Sequence, residues 1–319
     1  MNNIVKKSAH LVDPDLKAHT DLLPDMILSP ETLAQARQQI KQWIVPNPGN
    51  IPVNMTVEFI PGPVGAPDVR IIIFTPHNSP APRPVYLQIH GGGMVTGTAD
   101  MGNVANAALA AEMGCTVVSV DYRLAPENPH PAPIEDCYVA LKWVHSHAQE
   151  LGVDNERIAI GGESAGGGLA ASLAVLARDR GEVKIIFQRL VIPMLDDRTC
   201  VGASHPYNGE YGWTIQNNYF GWKSLLGHEP GIDGVSPYAS APRATELSGL
   251  PPTFISIGAI ELFLDECLDY AKRLIHAGVP TELHVYPGVH HLAYIAPDAR
   301  FHQAHNKAMN DALRRAFYG

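Results

Sequence analysis

Basic residues are scarce in this chain, and so is cysteine. Its 23 Lys and Arg stand against 32 Asp and Glu, giving a formal net charge of −9 and a pI near 5.9. No basic cluster is longer than the Lys6-Lys7 pair, so nothing is arranged to neutralise a phosphate backbone, and nucleic acid is set aside as a partner. The four cysteines, Cys115, Cys137, Cys200 and Cys267, have no C-x-x-C spacing. They read as reduced core residues rather than a disulfide frame or a thiolate metal site. No apolar run reaches 18 residues, and no N-terminal stretch has the charged, apolar and cleavage regions of a signal peptide. The expectation is therefore a soluble, cytoplasmic protein without membrane contact. Internal repeats and low-complexity tracts are lacking too; the proline-rich stretch Pro76 to Pro84 is a loop between strands.

What is present is an alternation of short apolar runs with helical patterns. Runs at 54–60, 69–75, 85–90, 116–121, 157–161, 185–192, 252–259 and 281–286 read as eight strands. Helical periodicity falls at 102–113, 134–150, 166–180, 264–277 and 298–317. Strands alternating with helices predict an α/β protein with a mostly parallel sheet covered on both faces, in one catalytic domain spanning 1–319. Two segments exceed that frame. Residues 1 to about 46 contain an amphipathic stretch, Ser29 to Trp43, and residues 196–235 lack strand periodicity but carry Tyr207, Tyr211, Trp213, Tyr219, Phe220 and Trp222.

Two glycine-rich motifs carry chemistry. Gly162-Glu163-Ser164-Ala165-Gly166 lies between the apolar run ending at Gly161 and the small-residue helical run Leu169 to Arg178. A serine hydroxyl is a poor nucleophile, so a fold that uses one must expose it beside a base and aim N–H groups at the developing oxyanion. A tight strand-to-helix turn holds such a serine at φ > 0, where side chains at 162 and 166 would collide. Glu163 faces away from the site in such a turn. Upstream, Val85 to Ile89 runs into His90-Gly91-Gly92-Gly93-Met94, whose bare backbone can present N–H donors to a carbonyl oxygen. A phosphate loop is the competing reading, but no lysine follows in Walker A spacing and no G-x-G-x-x-G opens a helix. His90 reads as a structural residue.

These motifs, with Asp121-Tyr122-Arg123-Leu124-Ala125-Pro126-Glu127 between them, resemble the hormone-sensitive-lipase family of α/β-hydrolase esterases (bacterial family IV) over nearly the whole chain. The resemblance implies an α/β-hydrolase fold with an eight-stranded, mostly parallel sheet flanked by helices. It also implies hydrolysis of a small-molecule carboxylic ester with no cofactor and no metal, and a helical cap built from about 1–46 and 196–235. In such enzymes the triad runs Ser, acid, His along the chain. The family's D-P-L-x-D-E stretch stands here as Glu261-Leu262-Phe263-Leu264-Asp265-Glu266 after Ile260. Alignment puts Glu261 in the acid's place, a departure, since the usual residue is Asp; glutamate can orient the imidazole through one more methylene. Asp265 is the competitor, a helical turn further on. The family's P-G-x-x-H matches Pro287-Gly288-Val289-His290-His291 and selects His291 over His290.

The expected catalytic residues are thus Ser164, Glu261 and His291. The N–H groups of Gly92, Gly93 and Ala165, with Gly91 in a lesser role, form the expected oxyanion hole. Met94, Tyr207, Tyr211, Trp213 and Leu292 are candidates for the substrate pocket, since a cap that keeps water from an acyl-enzyme needs bulky apolar side chains. Asp196-Asp197-Arg198 is expected to anchor the cap. The modest cap argues for short to medium acyl chains. An amidase or carbamate hydrolase with the same triad is the alternative; a non-catalytic receptor is disfavoured because His291 is retained. A homodimer is left open.

Overall fold

The computed structural model describes residues 6–22, 27–42, 44–202, 205–296 and 299–319. Trp43, the end of the expected amphipathic stretch, lies outside them, as do residues 1–5 of the expected cap and the start, at 298, of the last expected helix. The eight expected strands form one sheet: β1 (Val53–Ile60), β2 (Val69–Pro76), β3 (Arg83–Ile89), β4 (Thr116–Asp121), β5 (Val153–Glu163), β6 (Phe187–Val191), β7 (Thr253–Gly258) and β8 (Thr281–Tyr286). Their spatial order is β1-β2-β4-β3-β5-β6-β7-β8. Only the β1/β2 and β2/β4 pairings are antiparallel; from β4 through β8 the neighbours run parallel.

The helices are α1 (Lys17–Thr20), α2 (Leu33–Lys41), α3 (Asn103–Met113), α4 (Ala132–Ser146), α5 (Ala148–Leu151), α6 (Ala165–Arg180), α7 (Ile215–Leu226), α8 (Leu264–His276) and α9 (Arg300–Tyr318). Side-chain alternation along the central strands divides the core in two. Ile71, Ile73, Leu87, Ile89, Val118, Ile158, Ile160 and Ile255 join the cluster under α4, α6 and α8. Ile72, Phe74, Tyr86, Val117, Ala159 and Phe254 face α3 and α9 on the opposite side. A strand buried on both faces is apolar at most positions, which is why these strands appear in the sequence as nearly continuous runs.

The two surplus segments touch each other. The backbone N–H groups of Lys7 and Ser8 donate to the Glu210 carboxylate at 3.0 and 2.7 Å, and Leu28 N–H donates to Asn217 Oδ1 at 2.8 Å. Within 196–235 the structure contains α7, a helix that no clean periodicity announces. Its N-terminus is capped by Thr214, whose hydroxyl accepts from Asn217 N–H. The segment is tied down by Asp197, whose fully buried carboxylate accepts from Arg243 Nε and Nη2 at 2.8 and 2.7 Å and from Gly231 N–H at 2.7 Å.

Candidate active site

Ser164 stands where β5 meets α6, at φ 55° and ψ −120°, a sparsely populated conformation that costs about 1–3 kcal/mol for a residue with a side chain. Backbone bonds hold it there. Ser164 N–H donates to Val191 O at 2.9 Å, and its carbonyl accepts from Gly168 N–H at 3.0 Å and Met194 N–H at 2.9 Å. The flanking glycines are required by close approach of β3: a Cβ on Gly162 would lie 2.3 Å from Ile89 O, and one on Gly166 would lie 2.0 Å from the same atom. Ile192, a β-branched residue at φ 42°, turns the chain after β6 toward this elbow. That turn ends β6 at Val191, one residue inside the expected run.

His291 arrives from the loop after β8 and Glu261 from the loop after β7. Ser164 Oγ lies 3.0 Å from His291 Nε2, and His291 Nδ1 lies 2.8 Å from Glu261 Oε1. With Nδ1–H donating to the carboxylate, Nε2 is left to accept from the serine hydroxyl. All three side chains are buried; Ser164 and His291 each keep 7% of their surface exposed and Glu261 keeps 1%. Asp265, the rival acid, is exposed on the first turn of α8. His290 points elsewhere: its Nε2 lies 2.8 Å from the Thr20 hydroxyl, which in turn donates to Leu16 O. Burial, with the neighbouring His291 and Lys6, pushes the His290 pKa down to about 4.

The glycine loop lies alongside. A Cβ on Gly91 would approach Ser164 Cβ to 3.5 Å. Among the described residues, the N–H groups of Gly91, Gly92 and Gly93 donate to no protein acceptor, and Ala165 is the first residue of α6, where an N–H has no partner inside the helix. His90 is structural in its contacts: its ring stacks on Tyr122 at 4.2 Å, and Tyr122 OH donates to His90 O at 2.9 Å.

The pocket candidates divide. Trp213 roofs the centre, its ring 6.0 Å from that of His291 and so close to the glycine loop that a Cβ on Gly93 would lie 2.2 Å from its Cη2. Leu292 is half-buried against Gly212. Tyr211 is buried against His290, 5.2 Å between rings, with Lys6 Nζ over its ring, 4.3 Å from the centroid. Tyr207, by contrast, is exposed at the surface beside His10 and His205. Met94 also departs from expectation. At φ 64° its backbone turns, and the side chain is fully buried in the core against α6, with Cε 3.7 Å from where a Cβ on Gly168 would stand. Met94 therefore supports the elbow from below, and Tyr207 does not reach the centre.

Glu163 does face away from Ser164, toward α3 and α9. Gln88 Nε2 donates to its Oε2 at 2.6 Å, and burial raises its pKa. Glu266, overlooked in the sequence, is buried and accepts from Leu195 N–H at 2.6 Å and from the Thr199 hydroxyl, anchoring the segment that leaves β6. Its position one residue after the rival Asp265, on the inner side of α8, was the available signal.

Residues 86–295 match a family described by its alpha/beta hydrolase fold. Among curated proteins, the carboxylesterase NlhH of Mycobacterium tuberculosis (strain ATCC 25618 / H37Rv) is 34% identical over 96% of this chain and 97% of its own length. Among solved structures, a bacterial heroin esterase superposes with a TM-score of 0.91 at 39% identity, covering 97% of this chain and 99% of its own. The esterase LipW from Mycobacterium marinum does so with a TM-score of 0.85 at 33% identity, covering 98% of each. The chain belongs to the α/β-hydrolase-fold family, in the branch of the hormone-sensitive-lipase-like esterases. It is a carboxylic ester hydrolase.

Proposed function

We propose that the chain hydrolyses carboxylic esters of short to medium acyl length through an acyl-enzyme on Ser164. The observation that carries this reading is the run of contacts Ser164 Oγ to His291 Nε2 at 3.0 Å and His291 Nδ1 to Glu261 Oε1 at 2.8 Å, at the end of a strained strand-to-helix turn. His291 takes the hydroxyl proton as Oγ attacks the ester carbonyl, and Glu261 holds the imidazole orientation and stabilises the imidazolium. The free N–H groups of Gly92, Gly93 and Ala165, with Gly91 beside them, receive the negative charge that forms on the carbonyl oxygen. His291 then gives its proton to the departing alkoxide, and water, activated by the same imidazole, releases the acid.

The described parts of 1–46 and 196–235, joined through Glu210 and Asn217, act as the cap. Trp213, Leu292 and Tyr211 shape the acyl and alcohol pocket beneath it, where low exposure keeps water from the acyl-enzyme. Hydrolysis of p-nitrophenyl esters from acetyl to palmitoyl, beside matched p-nitroanilides, tests the assignment. A maximum at short or medium chains with slow anilide turnover is expected. A palmitoyl optimum overturns the chain-length assignment, and anilide rates equal to ester rates overturn the ester preference.

A further inference from the structure

A second cavity lies on the other face of the sheet, behind the nucleophile turn. It has a volume of about 320 Å³, and its lining includes Glu163, Arg189, Asn106 and Leu109, along with Tyr294 and Met309. Register explains the grouping: Arg189 pairs with Gly161 and Val191 with Glu163, so Arg189 and Glu163 share the face covered by α3 and α9.

Arg189 is the unusual member. It is 4% exposed, yet among the described residues no carboxylate lies within ion-pair distance of it and only its Nε–H has an acceptor, Tyr86 OH at 3.0 Å. Its guanidinium stacks on the Tyr86 ring, 4.4 Å from the centroid, and Nη1 is buried with no partner. Its charge reaches Glu163, whose pKa it lowers against the larger, raising effect of burial, but a buried guanidinium with no carboxylate in direct contact is expensive. Two residues of the wall also carry buried polar atoms without a partner, Asn106 Nδ2 and Asn310 Oδ1. The two histidines at its edge add no cation near neutral pH, since burial lowers the pKa of both, that of His305 to about 4. Of the two carboxylates there, Glu112 is engaged by Arg314 and Asn310, and Glu163 by Gln88. The remaining wall, from Leu109, Met309, Val191 and Ala108, is apolar.

We propose that this cavity is a binding site for a small aliphatic carboxylate, its head group accepting from the Arg189 guanidinium and its hydrocarbon tail lying on Leu109 and Met309. A planar guanidinium fork matches a carboxylate better than a compact tetrahedral anion, and the apolar wall favours a ligand with a few carbons over a bare ion. The site stands apart from the reaction centre but is joined to it. Glu163 immediately precedes Ser164, and Tyr294 follows His291 by three residues.

Calorimetric titration with butyrate tests this, using the protein as purified and the same protein with Ser164 blocked by a phosphonate. Two variants run in parallel: Arg189→Gln, which removes the charge, and Ala108→Trp, placed on the exposed rim of α3, which narrows the mouth without entering the core. Saturable binding that survives the block and weakens at least about tenfold in each folded variant is expected, the loss of one charge-assisted contact. Crystals soaked in 4-bromobutyrate should show bromine between α3 and α9. Binding that is abolished by the block, or unchanged in Ala108→Trp, overturns the proposal, as does butyramide or inorganic phosphate binding as tightly as butyrate. Because Ala108→Trp is remote from Ser164, its result stands whether or not the assignment of the catalytic residues holds.

Discussion

Replacing Glu261 by Gln keeps the shape of the buried acid and removes its charge. In the native arrangement Oε1 lies 2.8 Å from His291 Nδ1 while Oε2 is buried with no partner. The amide can place its oxygen on Nδ1–H, leaving an NH₂ group where Oε2 has no acceptor to offer, or it can place the NH₂ on Nδ1. The second option moves the imidazole proton to Nε2, facing Ser164, where it blocks proton abstraction. In either case the imidazolium formed during attack faces a neutral group in a site almost closed to water. An equivalent loss in a serine protease lowers kcat about 10⁴-fold, or about 5.5 kcal/mol of barrier, and a fall of about 10³–10⁴ is expected here. Initial rates on p-nitrophenyl butyrate, with thermal melts to show that the variant is folded, measure it. Asp265→Asn, an exposed change, should stay within about twofold of the native rate. A folded Glu261→Gln protein with more than a tenth of native kcat, or a large loss in Asp265→Asn, would refute the assignment.

Gly93→Ala forces a Cβ into a position at φ 61° and 2.2 Å from Trp213; kcat on the same ester should fall about 10²–10³-fold, the cost of a displaced oxyanion donor, and unfolding in urea should come at a lower concentration because the strain is confined to the native state. Arg243→Ala leaves the fully buried Asp197 carboxylate without its cation, and urea titration should show a loss of about 3–5 kcal/mol. His290 and His305 both have pKa values lowered from 6.5 to about 4, so the unfolded chain binds more protons than the folded one between those values. Stability should therefore be full above about pH 6.5, fall as pH drops toward 4, by up to about 3 kcal/mol for each histidine, and level off below. Melting temperatures between pH 7 and 4 check this, and His305→Gln should flatten part of the slope.

The central parallel strands were legible because they are buried on both sides and so appear as largely apolar runs, and α6 because small residues follow the elbow at once. Helix α7 was not, since Asn217, Asn218 and Gly221 interrupt its apolar pattern. Motif spacing led to Ser164, His291 and Glu261, which the chain brings together from positions up to 127 residues apart. Side-chain direction in the loops was beyond spacing. Met94 was a candidate for the substrate pocket, yet its backbone stands at a positive φ and its side chain is buried against α6, and Tyr207 shared the aromatic character of Trp213 without its position. The pairs Asp197–Arg243 and Thr20–His290 join distant segments that no local pattern connects. Arg189 did stand out in principle, as a charge inside the apolar run 185–192.

The most direct test of the account is where a fluorophosphonate ester attaches and what that does to turnover. Peptide mapping after stoichiometric reaction should find one adduct, on Ser164, with ester hydrolysis lost in proportion to labelling and no labelling in His291→Ala. An adduct on another residue, or full activity in protein labelled at Ser164, would contradict it.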